Sequence, residues 1–299
     1  MDGILNINKA TRMTSHDVVA KIRKLLKQKR VGHAGTLDPA ASGVLPICVG
    51  HGTRVAEYLS ESGKAYRAEI LFGIVTDTYD REGSILRTSD TSALSLPLIE
   101  EQLPHFMGAQ MQMPPLYSAI KLQGQPAYKR MRAGEEITLE ARPIEIYALR
   151  IVAWQAPVLT LDIECSKGTY IRSLAYDLGE QLGCGAHLAG LIRTRSGPFT
   201  LEKSSTLEQL ADIIEQGTLP EHIFPADYAI QQYPALHLDE VTSIRVLHGN
   251  AFRVELPVLQ PESNLARIYN DKGSFLAIAH WDAAEQVWQP KKVFGPDNT

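Results

Sequence analysis

Asp38 stands in the run Gly32-His33-Ala34-Gly35-Thr36-Leu37-Asp38-Pro39, with two glycines before it and a proline directly after. Proline disfavours the helical region for the residue it follows, so Asp38 must be extended or in a turn. Apolar runs on both sides would hold this loop between rigid elements. A carboxylate so presented can accept a proton or attack an electrophilic carbon. Local sequence equally supports a plain Asp-Pro turn, because Asp is a common turn former. Other chemistries are poorly served. The nine histidines are scattered, and Cys48, Cys165 and Cys184 form neither a zinc spacing nor a CxxC pair. Gly32-x-x-Gly35 meets neither the Walker nor the dinucleotide pattern, and there is no Gly-x-Ser-x-Gly elbow. No metal and no cofactor is expected. A lone carboxylate, tyrosines and basic patches remain. That set suits a nucleotide, where rings stack on bases and cations meet phosphates.

Charge and patterning indicate what must position these residues. The net charge is −4, yet Lys21, Arg23, Lys24, Lys27, Lys29 and Arg30 lie between Val18 and Leu37 with no acid among them. Local patches govern nucleic-acid binding more than the total does, although a solvated helix face would look the same. Ile4-Leu5-Asn6-Ile7 reads as a strand, and Thr14-Ser15-His16-Asp17 as a capped helix start. Val18, Ile22, Leu25 and Leu26 continue at helical spacing, and Gly32 and Gly35 are expected to end that helix. The pattern predicts strands over 64–72, 144–154 and 158–165, and a buried strand or turn over 42–50. It predicts helices over 98–107, from near Tyr170 to Gly183, and over 207–216, with a polar loop at 76–80. Residues 110–142 carry Pro114-Pro115, Gly124, Lys121, Lys129, Arg130 and Arg132. This is a basic, turn-rich insertion of a length that is usually functional.

Gln231-Gln232-Tyr233-Pro234 marks a boundary between units at 1–232 and 233–299. The second unit reads as all-β, with a hairpin through Asp271-Lys272-Gly273 and a last strand over 287–294. The fold class is therefore α+β: a large mixed sheet flanked by helices, then a small β unit. No apolar run reaches ~18 residues, so no membrane span is expected. Met1-Asp2-Gly3-Ile4 shows no basic lead into an apolar stretch, so no secretion signal is expected, and the dispersed cysteines suit a reducing cytoplasm.

The run from Gly32 through Asp38 to Ser42-Gly43-Val44-Leu45-Pro46 closely resembles the signature of the TruB family, the tRNA pseudouridine-55 synthases. Three further segments resemble that family's motifs in the same order. They are Lys64-Ala65-Tyr66, then Pro114-Pro115-Leu116-Tyr117-Ser118-Ala119-Ile120-Lys121 with Tyr128, then Ser166-Lys167-Gly168-Thr169-Tyr170-Ile171-Arg172. Gly183-Cys184-Gly185-Ala186-His187-Leu188, Leu191 and Arg193 follow. The resemblance implies a pseudouridine-synthase fold over 1–232 and a PUA-like β-barrel for RNA over 233–299. It implies Asp38 as the catalytic carboxylate, Arg172 as the partner that fixes its direction, and Tyr66 stacked on the target base. It places Tyr170 and Leu191 around the uracil, and His33 at the space a flipped nucleotide vacates.

The activity implied is isomerisation of the T-loop uridine of tRNA, by a monomer working without guide RNA. A relative working inside a guide-RNA particle, or an RNA-binding or RNA-folding protein with secondary catalysis, are the alternatives. One departure stands out. The family's Lys-Pro-x-Gly turn is here Lys9-Ala10-Thr11-Arg12, which leaves the role of Lys9 open.

Overall fold

The computed structural model describes residues 1–117, 139–254 and 264–295, with two short backbone strands between the first two stretches. The chain opens with β1 (Gly3–Lys9), α1 (Ser15–Leu26), β2 (Val31–His33) and β3 (Ser42–Val49). Next come α2 (Ala56–Glu61), β4 (Lys64–Phe72) and a small hairpin of β5 (Ile74–Thr76) and β6 (Ile85–Thr88). α3 (Leu96–Gln102) leads to β7 (Gly108–Gln112), β8 (Lys121–Leu122) and β9 (Gln125–Pro126). Then follow β10 (Arg142–Gln155), β11 (Val158–Cys165), α4 (Ile171–Gln181), β12 (Ala186–Ser196), β13 (Phe199–Thr200) and α5 (Leu207–Glu215). β14 (Ala235–Leu238), α6 (Glu240–Leu247), β15 (Leu265–Asn270), β16 (Phe275–Asp282) and β17 (Val287–Val293) complete the described chain. Lys129, Arg130 and Arg132 of the basic insertion lie outside the described residues.

The main sheet runs β1-β3-β12-β4-β11-β10-β7, with β2 added to β3 and β13 to β12. Every pairing in it is antiparallel except β12 with β3, so the sheet is mixed, as expected. β11 alternates strictly, burying Leu159, Leu161, Ile163 and Cys165 against α4 and β4. β1 and β3 are buried on both faces, which suits their near-continuous apolar run. Leu5, Ile7, Leu45 and Ile47 meet Val18 and Ile22 of α1 and Leu210 of α5. Ile4, Val44 and Cys48 meet Val55, Leu59, Phe199 and, from the second sheet, Ile278.

The second sheet runs β14-β15-β16-β17, parallel at its first pair and antiparallel beyond, and Phe252 bridges to Trp288. Here the sequence reading needs correction, because the tail is not all-β. Asp239 caps α6, accepting from the Thr242 N–H at 2.7 Å, and Val246 of that helix is fully buried in the sheet's core. A second correction concerns α1. It starts as expected, with a reciprocal cap between Thr14 and Asp17. It ends at Lys27, which takes a left-handed conformation at φ 49°, while Gly32 lies inside β2. The three cysteines are free and buried. Among the described residues no helix is long and apolar enough to cross a membrane.

Candidate active site

A cleft of about 220 Å³ opens where the β2–β3 loop, the start of β4, the N-terminus of α4 and the middle of β12 converge. Asp38, Tyr66, Tyr170, Arg172 and Leu191 all line it, although they are up to 153 positions apart in the chain (191 − 38). His33 does not line it. That ring sits at the end of β2, edge-on to His16 at 5.2 Å, and its Nδ1 is buried without a hydrogen-bond partner. Burial, with His16 and Arg193 nearby, holds His33 below the ordinary histidine range.

Arg172 is the hub. Its helix begins at Ile171, and no acidic residue occupies the first turn, where a helix favours negative charge. Two aspartates from elsewhere supply it. Nε of Arg172 meets Asp38 Oδ2 at 3.1 Å and Nη1 meets Asp80 Oδ2 at 3.4 Å. The remaining donors reach the carbonyls of Thr78 at 3.2 Å and Tyr117 at 3.1 Å. The Arg172 side chain is 8% exposed and that of Asp80 14%, whereas Asp38 is 44% exposed. The guanidinium is thus fixed from below, and the one carboxylate it leaves open to the cleft is Asp38.

The loop carrying Asp38 is pinned on both sides. Ser15 Oγ accepts from the Leu37 N–H at 3.0 Å, and the Ala41 N–H donates to the Asp38 carbonyl at 3.1 Å. Arg193, 1% exposed on β12, donates to Gly35 O at 3.2 Å, Thr36 O at 3.1 Å and Val44 O at 2.6 Å. It therefore ties together the two ends of the segment that contains Asp38. Across the sheet Arg193 pairs in register with Tyr66. Burial raises the Tyr66 hydroxyl above the usual tyrosine range, and the positive charge of Arg193 opposes that rise. A hydroxyl so placed beside a cation can release a proton more readily than its burial alone would permit. Tyr170 caps α4, and Gln112 of β7 fixes its backbone twice, accepting from its N–H at 2.8 Å and donating to its carbonyl at 3.0 Å.

Two buried lysines complete the surroundings. Lys9 is fully buried and donates to Ala10 O at 3.0 Å and Met13 O at 2.8 Å. Burial lowers it to about 8 despite the attraction of Asp38. Lys64 lines the cleft and is lowered to about 8, chiefly by burial and then by Arg193. It binds the carbonyls that end α2, Ser60 O at 2.7 Å among them. Sequence reading assigned no role to Arg193, Lys64, Asp80 or Gln112. Lys64 and Arg193 stood inside quoted motifs, but only the folded contacts, at the end of α2 and across the sheet respectively, give them work. Among the described residues no cluster of three His, Cys, Asp or Glu side chains could hold a metal.

Comparison with known proteins shows the family. The family model described as "TruB family pseudouridylate synthase (N terminal domain)" matches residues 23–171, and "tRNA pseudouridylate synthase B C-terminal domain" matches 172–231. Proteins named tRNA pseudouridine synthase B are similar over almost the whole chain. That of Dehalococcoides mccartyi (strain CBDB1) is 42% identical, covering 98% of this chain and 97% of its own. That of Caldanaerobacter subterraneus subsp. tengcongensis is 41% identical, with 98% and 99% covered. Among solved structures, an H/ACA RNP bound to a substrate RNA containing 2′-deoxyuridine superposes with a TM-score of 0.76 at 26% identity, covering 99% of this chain and 86% of that one. The chain belongs to the TruB family of pseudouridylate synthases.

Proposed function

We propose that this protein isomerises the T-loop uridine of tRNA, position 55, to pseudouridine, with Asp38 as its catalytic carboxylate and without guide RNA or cofactor. The observation that carries the reading is the convergence of Asp38, Tyr66, Tyr170, Arg172 and Leu191 on one cleft, in a chain about 42% identical to relatives named for this reaction. The N1–C1′ bond of uridine breaks, the uracil turns within the closed site, C5 bonds to C1′ and loses its proton, and N1 gains one. Atoms balance without an oxidant. Asp38 either attacks C1′ or removes a ribose proton, and both routes need a carboxylate aimed by Arg172. Tyr66 stacks on the base, and its hydroxyl, beside Arg193, assists removal of the C5 proton. Tyr170 and Leu191 hold the uracil. His33 borders the space the nucleotide leaves. Extruding that nucleotide costs a few kcal/mol, which phosphate contacts from α1 and the 110–142 insertion offset. The unit 1–232 is catalytic, and 233–299 is a PUA-like module that extends the grip on the T-arm. The enzyme works as a monomer in the cytoplasm.

The test is to map pseudouridine in tRNA, and in a bare T-arm hairpin, treated with purified protein and with Asp38→Asn. Modified hairpin from the wild type and none from the variant, with tRNA binding retained, is the expected result. Unchanged product from Asp38→Asn would falsify the assignment.

A further inference from the structure

Among the described residues four other than glycine have positive φ: Arg12 at 63°, Lys27 at 49°, Tyr79 at 60° and Gln286 at 53°. A left-handed backbone costs an ordinary side chain about 1–2 kcal/mol, so each asks for a reason. Three have one nearby. Lys27 closes α1, its N–H reaching the carbonyls of Arg23 and Lys24. Tyr79 stacks on Tyr176, with ring centroids 4.0 Å apart. Gln286 occupies the turn between β16 and β17. Arg12 also lies in a turn, between β1 and α1, but that turn asks only for a residue that tolerates positive φ and gives no use to an arginine side chain. It is exposed, and among the described residues its guanidinium has no recorded hydrogen bond or ion pair. Its backbone, however, is firmly held. The Arg12 N–H donates to Pro39 O at 2.8 Å, next to Asp38, and Lys9 ties the turn from beneath through Ala10 O and Met13 O.

We infer that Arg12 is a phosphate-binding residue of the active-site rim, contacting the RNA backbone beside the extruded nucleotide. This rests on the proposed action on tRNA and adds a contact to it. Glycine would fit the turn without strain, so a strained arginine there indicates that its side chain is in use. The side chain is cationic, exposed and unpaired among the described residues, and its backbone is bonded to the residue after the catalytic carboxylate. An anion close to the substrate's reacting sugar satisfies all of these, and in RNA that anion is a phosphate. α1 begins three residues later and carries Lys21, Arg23 and Lys24, so Arg12 adds a cation between that helix and the Asp38 loop.

The test measures tRNA affinity across a salt series, with melting temperature, for wild type, Arg12→Gly, Arg12→Ala and Arg12→Lys. Arg12→Gly is expected to melt about 1–4 °C higher, since the strain is relieved. It should also bind tRNA several-fold more weakly, with the slope of log K against log salt reduced by about one. Arg12→Ala should weaken binding equally without the rise in melting temperature, and Arg12→Lys should restore most of the slope. The loss should fall on KM rather than kcat. Wild-type affinity and slope in Arg12→Gly would overturn the inference. If wild-type protein neither binds nor modifies tRNA, the functional reading fails instead, and the two failures are told apart by that control.

Discussion

At the scale of single residues, the site depends on one guanidinium serving two carboxylates. Removing it strands Asp80, which is almost dry, beside Asp38. Arg172→Met should therefore destabilise the fold by roughly 3 kcal/mol, as breaking a buried pair does. It should also cost more activity than its loss of stability explains. Urea unfolding and pseudouridine yield below the melting range measure the two separately, and an unchanged unfolding midpoint would contradict the hub role. The buried lysines give a pH signature. Their pKa is about 8 in the folded chain against 10.5 when exposed, so the unfolded chain binds more protons between those values. Their contribution is fully present above 10.5 and is lost as pH falls through about 8. Cys48 and Cys165, raised by burial to about 12 and about 11, act oppositely above their usual range near 9. The lysine effect is therefore clearest between pH 8 and 9, where melting temperature should rise with pH. Lys64→Met should flatten that rise.

At the scale of elements, the cleft exists because β12 lies parallel to β3 and antiparallel to β4. β3 carries the loop of Asp38 and β4 carries Tyr66, so β12 sets the distance between carboxylate and ring. The approach of β3 to β12 is very close. Gly43 sits at φ 106°, and a Cβ there would lie 2.3 Å from the Arg193 carbonyl oxygen and 2.7 Å from its nitrogen. Backbone atoms cannot yield as a flexible side chain does. Gly43→Ala should therefore separate the strands, destabilise by at least about 2 kcal/mol, and abolish activity even where the protein remains folded. Calorimetry and pseudouridine mapping at low temperature check this, and a fully active variant would show that β12 does not set the site. Sequence patterning gave no strand over β12. Its register shifts at Leu188/Gly190 and at Arg193/Arg195, and each shift breaks the two-residue alternation by which strands are read. β11, with no such break in its own run of apolar positions, was plain.

At the scale of the molecule, the two sheets share a core. Ile278 of β16 is fully buried in the cluster that holds Ile4, Val44 and Leu59, and Phe275 and Phe294 pack against it. The seam is also polar. Arg54 donates to the Val293 carbonyl, Lys292 meets Glu57 at 3.1 Å, and the Tyr58 and Tyr233 rings lie edge to face at 6.1 Å. Unfolding should accordingly be a single transition. Ile278→Ala should lower its midpoint, costing about 2–5 kcal/mol, rather than split it. Two resolved calorimetric peaks in the wild type would contradict a shared core.

The sequence by itself determined the local parts: the capped start of α1, the alternation of β11, and the motif order that marks Asp38, Tyr66, Tyr170, Arg172 and Leu191. These rest on short-range rules, since a cap, a pleat or a motif is complete within a few neighbouring residues. Only the tertiary structure decided what joins them. Arg193 grips Gly35 and Thr36 across nearly 160 positions, Asp80 shares Arg172 with Asp38, and His33 stands beside His16 rather than in the cleft. The physical reason is that each of these contacts joins elements brought together only when strands, helices and loops pack around the sheet. Pairing order and register, which place residues distant in the chain within hydrogen-bond reach, are not encoded in any local pattern. Asp38 could be recognised in its loop, but its direction is set by an arginine 134 positions later (172 − 38) and held at 3.1 Å.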